Sequence, residues 1–143
     1  MSFLALPVPD TAGQRLFDDD IADLGYVMNA TRLWAYQPGL ASDLFDLMDQ
    51  MVAAAGLSPR QRALLVAAGA SAFGDAYCTL AWGNKLAQVS DVDTAAGVLR
   101  GDDGGLTDAE RALASWARLV ARNPNGTGPA DVQVLRDAGF DDG

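Results

Sequence analysis

Apolar residues recur along this chain at three- and four-residue intervals, and no stretch of useful length alternates with the two-residue period of a half-buried strand. The pattern predicts an all-α protein of seven or eight helices. Residues 1–13 read as an extended arm punctuated by Pro7, Pro9 and Gly13. Asp18-Asp19-Asp20 followed by Ile21-Ala22-Asp23-Leu24-Gly25 predicts a short helix, capped by Asp and stopped by Gly25. Helical spacing continues through Tyr26–Tyr36, with Val27, Ala30 and Trp34 among its apolar positions. Pro38 opens the next helix. There Leu40, Leu44, Leu47, Met48, Met51 and Val52 share a stripe, Asp43, Asp46 and Asp49 fall mostly off it, and Gly56 ends it.

The strongest local signal is Ser58-Pro59-Arg60-Gln61. Ser58 is a cap, Pro59 suits the first helical position, and Gln61 completes a capping box. The spacing predicts a helix over about Pro59–Phe73, apolar nearly all round and therefore buried. Gly74 breaks it, and a second buried helix carries Ala76, Tyr77, Cys78, Leu80, Ala81, Trp82 and Leu86. A short helix over Asp91–Leu99 ends at Gly101. Thr107-Asp108-Ala109-Glu110 is a second capping box, opening a helix with Leu113, Trp116, Ala117 and Val120 on one face. Asn123–Gly126 reads as a turn, and Pro129–Ala138 as a last helix stopped by Gly139.

Composition narrows the chemistry. A chain of 143 residues is about one domain, here 1–143, and buries roughly two thirds of its unfolded surface. Half of it is apolar and 20% is charged, which excludes an intrinsically disordered chain. There is one cysteine, so no intrachain disulfide and no Cys-x-x-Cys pair. Histidine is absent. That excludes a Ser-His-Asp or Cys-His triad within the chain and any His-ligated metal. Proton transfer is left to Asp, Tyr, Lys, Cys, the single glutamate Glu110 or water. The net charge of −9, with no cluster of basic residues, argues against nucleic-acid and anionic-membrane partners. The first residues lack a basic segment, and the longest uncharged run, Ala63–Gly74, is too short to span a bilayer. A cytoplasmic protein is the expectation, and the abundance of Ala, Gly, Arg and Asp with one lysine points to a GC-rich bacterial genome.

Candidate chemistry centres on Asp75-Ala76-Tyr77-Cys78-Thr79-Leu80-Ala81-Trp82. On a helix, Asp75, Cys78 and Trp82 sit at i, i+3 and i+7 and share a face, with Asn84 and Lys85 near the same side. Asp75 reads either as an acid or base beside a nucleophilic Cys78, or as the N-cap of the helix after Gly74, with Cys78 a small buried residue. Lys85, the single lysine, reads as solvent-exposed. Trp34 and Tyr36 read as packing at a helix end or a subunit contact, and Trp116 as core.

These residues carry a resemblance. Leu57-Ser58-Pro59-Arg60-Gln61-Arg62-Ala63 and Gly74-Asp75-Ala76-Tyr77-Cys78 resemble the carboxymuconolactone decarboxylase and alkylhydroperoxidase-D-like superfamily. Tyr26–Ala30, Tyr36–Leu40, Leu106–Ala112 and Asp131–Phe140 resemble flanking segments of its peroxidase-related branch, so the likeness covers nearly the whole chain. The family motif runs Glu, eleven residues, Cys-x-x-Cys, three residues, His. Its Glu falls on Ala63, its first Cys on Asp75 and its His on Trp82, and only the second Cys is kept, as Cys78. The family usually continues for one more helical segment past the position of Gly143.

The resemblance implies an alkylhydroperoxidase-D-like helical fold and a homo-oligomer, as a trimer or hexamer, with a dimer as a further option. The altered motif implies loss of two-cysteine peroxide reduction and of the proton relay. It also implies a less polar pocket bordered by Trp82, Ala63, Tyr77, Asn29 and Trp34, with Cys78 and Asp75 as the candidate catalytic pair. No cofactor and no metal are expected. Three functions follow as alternatives: an enzyme or binder repurposed to a small organic molecule, an inactive oligomeric scaffold, or a one-cysteine thiol peroxidase through Cys78.

Overall fold

The computed structural model describes residues 5–142, all of them helical or irregular, with no strand among them. Eight α-helices and one 3-10 turn follow one another: α1 Thr11–Leu24, α2 Asn29–Trp34, α3 Pro38–Ala54, α4 Pro59–Phe73, α5 Ala76–Val89, α6 Val92–Arg100, α7 Asp108–Arg122, the 3-10 turn Pro124–Gly126, and α8 Pro129–Asp137. No helix among the described residues is long and apolar enough to cross a membrane. The chain forms two compact units, one ending at Met51 and one beginning at Val52.

In the first unit the extended arm is shorter than expected, and residues 1–4 of it lie outside the described residues. Helix α1 starts at Thr11, well before the Asp18–Asp20 run. Asp10 supplies the cap, its carboxylate accepting from the Gly13 N–H at 2.8 Å. The aspartate run therefore sits inside the helix. Asp20 is buried, and its carboxylate accepts from the Met28 N–H at 2.8 Å, closing the loop between α1 and α2. Helix α2 is also shorter than the Tyr26–Tyr36 spacing suggested. It is confined to Asn29–Trp34 by that loop and by the turn that leads into Pro38. The Tyr36 hydroxyl donates to the Ala5 carbonyl.

The second unit is built on α4 and α7. Both begin with the capping boxes that the sequence predicts: Ser58 with Gln61, and Thr107 with Glu110. Their facing sides are small, with Ala67, Ala68 and Ala114 fully buried and Leu64 filling the space between layers. A Cβ at Gly69 would lie 3.7 Å from the Ala117 carbonyl, so the two backbones run close. Helices α5 and α6 add Leu86 and Val98 to the same core. Three polar ties fix the layers. The Ser71 hydroxyl donates to the Leu99 carbonyl at 2.7 Å. Arg118 grips Asp103 with both terminal nitrogens, at 2.6 and 2.8 Å, and also donates to the Val98 carbonyl. Arg60 Nε donates to Glu110 Oε1 at 2.5 Å, joining the first turn of α4 to the first turn of α7.

The expected burial of α5 holds for one face only. Gly83 and Leu86 are buried, whereas Tyr77 and Leu80 are exposed, as is Phe73 at the end of α4. A helix apolar nearly all round buries only as much as its neighbours can cover, and α6 and α4 cover one side.

The Arg60 guanidinium beside Glu110 holds that carboxyl below the usual glutamate range, against the opposing pull of burial and with help from Thr107. A carboxylate whose folded pKa is depressed stabilises the fold fully above the ordinary glutamate value of about 4.3, and the contribution is lost as pH falls through the lower folded value. E110Q is therefore expected to lower unfolding stability at neutral pH by about 1–3 kcal/mol. In urea unfolding, the gap between the two proteins should narrow as the pH is lowered below the ordinary glutamate range. A gap that does not change with pH would show that the ion pair contributes nothing.

Candidate functional site

The link between α4 and α5 is two residues long, Gly74 and Asp75. Gly74 adopts a left-handed conformation with φ of 83°, which glycine reaches without strain, and its N–H donates to the Ala70 and Ser71 carbonyls. The next N–H, of Asp75, donates to the Ala70 carbonyl at 3.1 Å and completes the C-terminal cap of α4. The Asp75 side chain then opens α5, its Oδ1 accepting from the Cys78 N–H at 2.9 Å. Asp75 thus closes one helix with its backbone and starts the next with its carboxylate. Of the two readings the sequence left open, the geometry contains the N-cap in full.

This arrangement sets the two ionisations against each other. The Cys78 N–H holds the Asp75 carboxyl below the usual aspartate range, the Cys78 thiol and Tyr77 N–H adding to that pull. Cys78 is half-buried, and burial pushes its thiol up, the Asp75 charge and its hydrogen bond to Asp75 adding to the effect. The stable pair at neutral pH is an ionised aspartate beside a protonated thiol. Among the described residues no cation offsets the upward pull on the sulfur, and the α5 N-terminus is already capped by Asp75.

One stripe of α5 carries Cys78, Trp82 and Lys85 in succession, at i, i+4 and i+7. Trp82 is half-buried against the core. The Lys85 Nζ lies 4.7 Å from the centroid of its ring, and the Arg62 guanidinium carbon, from α4, lies 5.7 Å from it. Both distances are within cation–π range. Lys85 is exposed, as expected. Arg62 was not legible as a site residue, because nothing in the sequence around it marks a partner twenty positions away.

The predicted site residues divide accordingly. Asp75, Cys78 and Trp82 come together on α5. Ala63 is buried in the core that Trp82 borders. Tyr77 points from a neighbouring, more exposed side of α5. Asn29, exposed at the start of α2, and Trp34, half-buried at its end, belong to the first unit.

No family model matches the chain, and no curated protein matches it. Among solved structures, the chain is similar to the crystal structure of an uncharacterized peroxidase-related protein from Silicibacter sp. TM1040. The TM-score is 0.81 and the identity 24%, over 97% of this chain and 76% of that one. The likeness establishes the all-helical fold.

Replacing Asp75 by Asn keeps a capping side chain and removes the charge beside the sulfur. D75N is expected to leave the unfolding midpoint nearly unchanged and to move the pH profile of Cys78 alkylation by iodoacetamide toward lower pH. An unmoved profile would mean that the carboxylate charge does not reach the thiol.

Proposed function

We propose that the chain is an alkylhydroperoxidase-D-like domain, with a degenerate motif, repurposed to bind or transform a small organic molecule beside Cys78, Asp75 and Trp82. The observation that carries this reading is the stripe on α5, where an ionised carboxylate, a protonated thiol and an indole stand in sequence on one half-buried face. The peroxidase-related neighbour supports the scaffold. The two-cysteine chemistry of the resembled family needs a second thiol, and this chain has one cysteine. One-cysteine peroxide reduction needs a thiolate, and the raised Cys78 pKa works against it.

Asp75 is the acid–base group in this reading, and Cys78 is a wall or auxiliary thiol. The inactive oligomeric scaffold is favoured by a different observation. Trp82 packs against the core, as a side chain filling a disused site would.

Two assays separate these readings. Alkyl hydroperoxide with a dithiol reductant is expected to give no turnover, and sustained turnover would overturn the assignment. In a screen of small organic fragments by ¹H–¹⁵N spectroscopy, the Cys78 and Lys85 amides and the Trp82 indole signal are expected to move together. A screen that moves none of them favours the scaffold.

Self-association is part of the same proposal. Phe73, Tyr77 and Leu80 leave an apolar surface at the α4–α5 corner that a second copy would cover. Light scattering is expected to give a mass at least twice the 14.9 kDa of the chain. A monomer at micromolar concentration would remove this part of the reading.

A further inference from the structure

The first unit has no apolar core of its own. Among its described residues only Gly13, Asp20, Thr31, Ala35 and Ala41 are buried, and none of these is a large apolar side chain. Helix α1 packs on α2, and α3 packs closely along neither. The large apolar residues of α3 are nonetheless in order. Leu40, Leu44, Leu47 and Met51 follow one another at spacings of four, three and four on one narrow seam, and each is more than a third exposed. That is the spacing of a seam that takes knobs from a second helix. The charged residues of α3 are all aspartates, so the seam is an apolar strip on an acidic helix, the mark of an interaction site.

The seam is self-complementary. Its spacing is the same read from either end, so an antiparallel copy of α3 sets Leu40 opposite Met51 and Leu44 opposite Leu47, each pair repeated by a two-fold axis. The flanks match in the same arrangement. Asp43 and Gln50 border the seam on one side, and Ala41 and Met48 on the other. An antiparallel pair sets the polar flank against the polar flank, with Asp43 nearest Gln50 of the second copy. A parallel pair would set that flank against Met48 and leave the carboxylate beside an apolar side chain. Asp46 and Asp49 lie away from the seam, so the antiparallel pairing apposes no two acids. We propose that α3 is a dimerisation helix, packed antiparallel on α3 of a second copy through Leu40, Leu44, Leu47 and Met51. This inference rests on the self-association proposed above and gives it a surface in the first unit, separate from the α4–α5 corner.

The test is sedimentation of the full chain over a dilution series. In L44A/L47A the dissociation constant of the dimer is expected to rise at least about a hundredfold, since each copy loses two leucines from the contact. Alanine holds a helix at least as well as leucine, so a loss of pairing is not a loss of α3. The geometry is read by cross-linking in a C78S background, which removes the native thiol. In the antiparallel pair, position 40 lies opposite position 51 of the second copy and about 16 Å along the axis from its own counterpart, beyond the reach of a disulfide. L40C mixed with M51C is therefore expected to give a covalent dimer on oxidation, and neither variant alone. A covalent dimer from either variant alone would mark a parallel pair and overturn the inference. Association unchanged in L44A/L47A but weakened in L80D overturns it and leaves the α4–α5 corner as the contact. A wild-type monomer overturns it together with the self-association on which it rests.

Discussion

The second unit depends on one carboxylate. Glu110 is the only glutamate in the chain, and it makes two kinds of contact at once. Its Oε2 accepts from the Thr107 N–H at 3.0 Å and from the Thr107 hydroxyl at 3.1 Å, closing the capping box of α7. Its Oε1 accepts from Arg60 Nε, which stands in the first turn of α4. A group this buried is costly without partners, and here the cap and the ion pair supply them. The consequence is geometric. The two helices that form the core start side by side, and their alanine faces meet in register below that point. The length of the glutamate side chain lets it reach back to the cap and across to the arginine at once.

Everything at the candidate site follows from where α4 ends. Ser71 ties that end to α6 through the Leu99 carbonyl. Three residues later Gly74 turns the chain, and Asp75 both finishes α4 and begins α5. The thiol and the indole therefore inherit their positions from a rigid joint rather than from a loop. The same joint fixes the electrostatics. An N-capping carboxylate is stabilised as the anion by the N–H groups it accepts, and the anion then disfavours a thiolate three residues on. A cap at this position and a reactive thiolate at Cys78 are in conflict, and in this chain the cap prevails.

Local signals were legible in the sequence, and tertiary ones were not. Helix α4 was readable to the residue because Ser58, Pro59, Gln61 and Gly74 each act within one turn of the helix end. The Thr107–Glu110 box was readable for the same reason. Helix α1 was misjudged because a run of three aspartates resembles a cap, while the working cap, Asp10, sat inside an arm that Pro7 and Pro9 made look extended. Asp20 could not be recognised as buried, since its partner is a backbone N–H eight residues away across a loop. The partnership of Arg60 with Glu110 spans 50 residues, and that of Arg62 with Trp82 links two helices. Neither leaves a trace in local periodicity. The burial of α5 was overestimated because hydrophobicity reports what a helix would cover, not whether a neighbour is there to cover it.

The fold and the chemistry separate at a few side chains. The likeness to a peroxidase-related structure concerns the path of the backbone, and at 24% identity it says little about which atoms react. In the proposed reading, Asp75 at the α4–α5 joint stands where the resembled motif has a thiol, and Trp82 on α5 where that motif has an imidazole, so that redox and proton-relay capacity are lost and something else is added. The carboxylate caps a helix start, and the indole has two cations within cation–π range. A structural gain accounts for the first exchange without any ligand. The second also fits packing, since an indole against the core fills space that a smaller ring would leave, and the two cations beside it are a further feature that packing does not require.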